Sequence, residues 1–196
     1  LVEGLDIDGG VWVEARGVRL RNVVVSGPVV VAPQASVRLE NVAIFSPTVG
    51  IQLEGTASAA VFRSHIEAPQ GVTGGIDLRV EACSWVAPFP STGSFVDLAG
   101  GRRSVIAFNH CQALGGACVT GTSSTIPLRD ALLFRNTFEG SGFAAVWLPT
   151  MANVGRLRLI ENQVGPGFGN TPLKPGTDGI LERNTWLADG GLVPEG

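Results

Sequence analysis

The chain has 196 residues, 44% of them hydrophobic, with a net charge of −3 and a pI near 5.4. That length can bury a sizeable core, and the slight acidic balance offers no basic field for nucleic acid. Its apolar runs are too short and too often broken to span a bilayer.

In the first ten residues Leu5 and Ile7 alternate with Asp6 and Asp8 and stop at Gly9-Gly10, as the last strand of an incomplete coil would. Asp6-x-Asp8-Gly9 is similar to the start of a calcium loop but lacks the other oxygen ligands and the distal Glu, so it reads as a solvated strand face. Val11-Trp12-Val13 then opens a regular pattern. Its anchor is an Asn in Arg21-Asn22-Val23-Val24, Glu40-Asn41-Val42-Ala43, Phe108-Asn109-His110-Cys111, Arg135-Asn136-Thr137-Phe138, Glu161-Asn162-Gln163-Val164 and Arg183-Asn184-Thr185-Trp186. Arg63-Ser64-His65-Ile66 and Ala82-Cys83-Ser84-Trp85 replace the Asn. The copies recur about every 23 residues, within the period range of solenoids.

Between anchors a second motif recurs, a small residue followed by apolar-x-apolar, as in Gly50-Ile51-Gln52-Leu53 and Ala145-Val146-Trp147-Leu148. Period-2 alternation at both motifs, with Gly and Pro between, predicts at least two short strands per copy and no long helix. The Leu-x-x-Leu-x-Leu ladder of leucine-rich repeats is absent. The intervals lengthen between Cys83 and Asn162, so the long turns at 86–94, 121–129, 139–144 and 165–177 mark a working side, with mobility expected in the last.

Gly50-Ile51-Gln52-Leu53-Glu54-Gly55, followed by an apolar strand and Ser64-His65-Ile66, resembles the right-handed parallel β-helix family shared by pectate-lyase-like enzymes and phage tailspikes. The resemblance implies an all-β, right-handed parallel β-helix of about eight coils over residues 1–196 as one domain. It says little of activity, because that coil carries lyases, hydrolases, adhesins and passive spikes.

Setting every anchor inward gives columns to read down the stack. The inward column after the anchor is Val24, Ala43, Ile66, Trp85, Cys111, Phe138, Val164 and Trp186; the anchors themselves should stack as a hydrogen-bonded column. The outward column before it is Arg21, Glu40, Arg63, Ala82, Phe108, Arg135, Glu161 and Arg183, so Arg21–Glu40 and Arg135–Glu161–Arg183 should pair across rungs. Both histidines, His65 and His110, fall in the outward column after the anchor, with Ser84 between them and Glu67 and Glu139 two positions further along.

The candidate catalytic groups are therefore His65, Glu67 and His110, since a His near a carboxylate serves as base or acid near neutral pH. Arg63, Ser84, Phe108 and Arg135 on the same face, with Asp97 and Trp147 on the second motif's outer face, are candidate contacts to sugar. Cys118 is expected outward beside them. No motif calls for a cofactor or a metal. Three cysteines without paired spacing indicate neither a disulfide framework nor a zinc site, and the offsets of Cys83 and Cys111 argue against a bridge between them.

The chain opens without Met or a signal peptide, and no capping helix is legible at either end; neighbouring domains of a larger chain or a homotrimer are the expected way of covering them. The leading expectation is an extracellular, cell-surface or virion module that engages polysaccharide, as in a tailspike or adhesin. The alternatives are a polysaccharide lyase or glycoside hydrolase and a purely structural repeat. The Asn-Thr-Asp, Asp-Asp, Gly-His-Gly and Arg-Ile-Lys set of the polygalacturonase-like hydrolases is absent.

Overall fold

The structure is a computed structural model and describes residues 1–98, 103–121, 129–148, 157–169, 172–174 and 179–193. It is an all-β parallel β-helix of about seven turns spaced roughly 22 residues apart, with no helix among the described residues. Each full turn contributes three strands, where the motifs predict at least two, as in Ser58–Phe62, His65–Glu67 and Gln70–Gly74. Among the described residues, equivalent strands of successive turns pair in parallel and build three sheets of nine, nine and eight strands.

β-branched and aliphatic residues alternate along these strands because one face looks into the coil. In Ser58–Phe62, for example, Ala59 and Val61 are buried. Down the stack the aliphatic layers give way to rings: Trp85, Phe95 and Phe138 are almost wholly enclosed. Trp85 and Phe95 stack with centroids 6.0 Å apart, and the indole nitrogen donates to the Ala68 carbonyl at 2.9 Å. At the turn into the third sheet the coils approach so closely that a Cβ on Gly116 would collide with the Gly93 carbonyl.

A two-residue corner joins the first sheet to the second, and the first of its residues is left-handed in every turn. After Gly4 come Asn22, Asn41, Arg63, Ala82, Phe108, Arg135, Glu161 and Arg183, all with φ between 47° and 57°. The corner also reverses the hydrogen-bond ladder. Arg63 N–H donates to Glu81 of the following turn, whereas His65 N–H donates to Val42 of the preceding one. The residue between them, turned inward, needs a partner other than the ladder.

That geometry corrects the register of the first two copies by one residue. Asn22 and Asn41 occupy the exposed left-handed position, and Val23 and Val42 are the buried corner residues. Val25 and Ile44 then point inward, not Val24 and Ala43. Asn22 and Asn41 still bond to each other at 2.8 Å, but outside the coil. The buried amide column comprises Asn109, Asn136, Asn162 and Asn184, with Ser64 and Cys83 at the equivalent sites before it.

Each Asn in that column replaces the missing ladder. Asn136 Oδ1 accepts from the backbone N–H and the amide of Asn109, while its own Nδ2 donates to Ile106 O and to Asn162 Oδ1. All of its polar capacity is used. Ser64 Oγ accepts from Val42 N–H, a smaller answer to the same need.

The cysteines depart from expectation. Cys111 and Cys118 form a disulfide with Cα atoms 5.9 Å apart, joining a second-sheet strand to a third-sheet strand across one coil, so Cys118 points inward. Cys83 is buried and free, and burial pushes its thiol up to about 11. At the far end residues 187–193 fold back over the last turn: Thr185 bridges Leu192 in antiparallel fashion and Val193 N–H donates to Asn184.

Candidate functional site

The left-handed corner makes a concavity on the outside of the coil, because the first and second sheets diverge there while the row's side chains stand away from the backbone. Where that row is Asn22, Asn41, Arg63, Ala82 and Phe108, a groove of about 710 Å³ lies open to solvent. One rung further on, Arg135 Nε reaches Glu161 at 2.6 Å and Arg183 meets the same carboxylate at 2.5 Å, so ion pairs line the corner.

The second-sheet strands supply the groove's working wall. His65, Ser84 and His110 are register partners on three successive rungs, side chains outward, spanning about 9.6 Å. His65 Nδ1 and Ser84 Oγ are 2.8 Å apart, and His110 Nε2 lies 3.1 Å from Glu139 Oε2 on the next strand. Phe108 stands 53% exposed at the end of the wall, edge-on to Phe134 at 5.3 Å. Arg63 faces the groove from the corner, with no salt-bridge partner among the described residues.

Of the residues singled out from sequence, Arg63, His65, Ser84, Phe108 and His110 therefore meet at one groove. Arg135 sits in the same corner row but is committed to Glu161 and leans over the Phe134 ring at 4.9 Å. Glu67 is half-buried two positions along from His65; Glu139, not Glu67, is the carboxylate that reaches a histidine. Asp97 and Trp147 lie in the third sheet, away from the groove, with Asp97 only 8% exposed and Trp147 packed edge-on against Phe143 at 5.0 Å. The 121–129 turn lies largely outside the described residues, as do residues 170–171 and 175–177 of the 165–177 turn.

The groove's chemistry is bounded by its backbone. The amides of His65, Ser84 and His110 all donate to carbonyls of the preceding turn, so none of the three is free to hold an oxyanion beside the His65–Ser84 pair. Cys83 underlies the groove as a buried, raised-pKa thiol rather than a thiolate nucleophile. What remains is an open trough with hydroxyl and imidazole groups at rung spacing, one aromatic face and one guanidinium. His110, oriented by Glu139, is the group best placed to move a proton.

Sequence reasoning missed a second polar surface on the first sheet, where Arg19, Arg38, Arg79 and Arg103 line a shallow depression of about 360 Å³. No protein-family model, no curated protein and no solved structure matches this chain.

Proposed function

We propose that this chain is a recognition module for polysaccharide, of tailspike or adhesin type, which holds an extended glycan along the corner groove. The observation that carries the reading is the His65–Ser84–His110 row ending at exposed Phe108 with Arg63 opposite. Repeating hydrogen-bonding groups suit a chain of hydroxylated rings, an aromatic face suits an apolar sugar face, and an open trough suits a polymer rather than a small ligand. The buried Cys111–Cys118 bridge supports an extracellular, cell-surface or virion setting, because such bonds persist in oxidising compartments.

A glycan array followed by titration tests it. The His65→Ala/His110→Ala variant should bind about tenfold or more weakly with an unchanged melting temperature. Full affinity in that variant removes the groove from the proposal.

A second reading, a polysaccharide lyase, is favoured by the 3.1 Å His110–Glu139 contact, with His110 as proton acceptor and Arg63 as partner of a uronate carboxylate. Absorbance of unsaturated products from a panel of uronic-acid polymers separates the two. Product that disappears in His110→Ala while binding persists makes the chain an enzyme, and no product from any polymer leaves the binder.

A further inference from the structure

We infer that the N-terminal half of the first sheet carries a second site, an arginine shelf that takes the carboxylate or sulfate groups of an acidic polysaccharide. One outward column of this sheet runs Arg19, Arg38, Ala60, Arg79, from strands in unbroken parallel register. Beyond Arg79 the same column becomes Val105 and Leu132, so the basic stretch ends there. Ala60 leaves a gap between two guanidinium-bearing rungs about 9.6 Å apart. Arg103 completes the rim, and the hydroxyls of Ser36 and Ser58 lie on the floor.

Two of these cations are held in place. Arg38 and Arg79 both lean over the Phe62 ring, at 4.5 and 5.6 Å, and are tied to Glu40 and Glu81 at 2.5 and 2.6 Å. The fixation from behind orients the planar forks and lowers the ordering cost of receiving an anion. Arg19 and Arg103 have no acidic partner within salt-bridge distance among the described residues, although Glu40 lies near enough to Arg19 to feel its charge. Asp77 is the one carboxylate in the lining, one column away from the arginines. In a chain of net charge −3 this is local segregation rather than a general basic field.

The ligand's class follows from what the shelf offers and what it lacks. Planar guanidiniums at fixed rung spacing match a regular polymer bearing carboxylates or sulfates. A single-stranded nucleic acid would gain from an open aromatic face for its bases, and the ring behind the shelf, Phe62, is already covered by two guanidiniums. The shelf is separated from the corner groove by the row Glu40, Phe62 and Glu81, so it stands or falls independently of the groove.

The test is titration of the protein with polygalacturonate, a sulfated dextran, neutral dextran and poly-glutamate at low and high salt. The expected result is binding of either or both acidic polysaccharides, weakening as salt rises, with little binding of neutral dextran or poly-glutamate. Arg38→Gln/Arg79→Gln, and separately Arg19→Gln/Arg103→Gln, should each weaken it about tenfold or more. The second pair makes no ion pair among the described residues, and an unchanged melting temperature in that variant separates lost binding from unfolding. The His65→Ala/His110→Ala variant is titrated alongside, to separate binding at the corner groove from binding at the shelf. Binding lost in the histidine variant and kept in both arginine variants overturns the shelf and leaves the groove; equal binding of poly-glutamate overturns the polysaccharide assignment; no binding of either acidic polymer overturns the site.

Discussion

Up to Cys83 the buried corner position holds Val23, Val42, Ser64 and Cys83; from Asn109 onward it holds only Asn. The outer side of the same corner changes with it, from the open row of Asn41, Arg63 and Ala82 to the Arg135–Glu161–Arg183 triplet. The backbone is the same in both halves, with φ near 50° and a reversed ladder at every rung. The C-terminal half thus binds its corner from inside and outside. The N-terminal half leaves the outside open, and the candidate groove lies there.

The comparison breaks most sharply at Asn136. Replacing it with Ala leaves the Asn109 N–H without its acceptor and takes one bond each from the Asn109 amide, the Ile106 carbonyl and Asn162 Oδ1 inside the coil, at an expected cost of about 2–4 kcal/mol. Ser64→Ala, in the other half, removes one acceptor for Val42 N–H and should cost about 1–2 kcal/mol. Denaturant melts of the two variants measure the difference. Equal losses would show that the amide column contributes nothing beyond a single hydroxyl.

A smaller effect separates the outer faces by pH. The Arg135 guanidinium, and after it that of Arg183, holds the Glu161 carboxyl below its ordinary value. A depressed folded pKa adds stability above the unfolded pKa of about 4.3 and loses it as pH falls through the lower folded value. Wild type should therefore exceed Glu161→Gln in melting temperature at pH 7, and the gap should shrink below about pH 4.3. A gap that does not change with pH would mean the triplet is only a packing contact.

The smallest test concerns the corner itself. A non-glycine residue in the left-handed region costs about 1–2 kcal/mol, and glycine returns about 0.5–1 kcal/mol of that in chain entropy. Ala82→Gly should raise stability by under about 1 kcal/mol, and a clear loss would mean the methyl group packs where its exposure says it does not.

Much of this was legible from the residues alone. Alternation around each anchor marks the strands, the two histidines share a column, Trp85 and Phe138 are enclosed, and Glu161 takes both of its arginines. The phase of the first two copies was not, because Val23-Val24-Val25 is apolar at every position and cannot report which face is inward. Asn also has two uses at this corner: it tolerates the left-handed conformation at 22 and 41, and it replaces ladder bonds from 109 onward.

Arg21 and Glu40 are strand neighbours but bond to Glu3 and Arg38 respectively, and not to each other. Arg19, Arg38 and Arg79 stand at unequal distances from their Asn or Cys anchors, which hid the shelf. The disulfide was hidden by the third strand: Cys111 and Cys118 face each other only when a coil is known to have three sides.

The corner row has one further meaning. Eight successive rungs accept Asn, Asn, Arg, Ala, Phe, Arg, Glu and Arg at one backbone geometry, and their side chains leave the fold without entering its core. Letter and scaffold are decoupled along this line, at the small and nearly uniform conformational penalty that each non-glycine residue carries. A surface built this way can change what it recognises by exchanging single residues, one rung at a time, while the coil beneath keeps its shape.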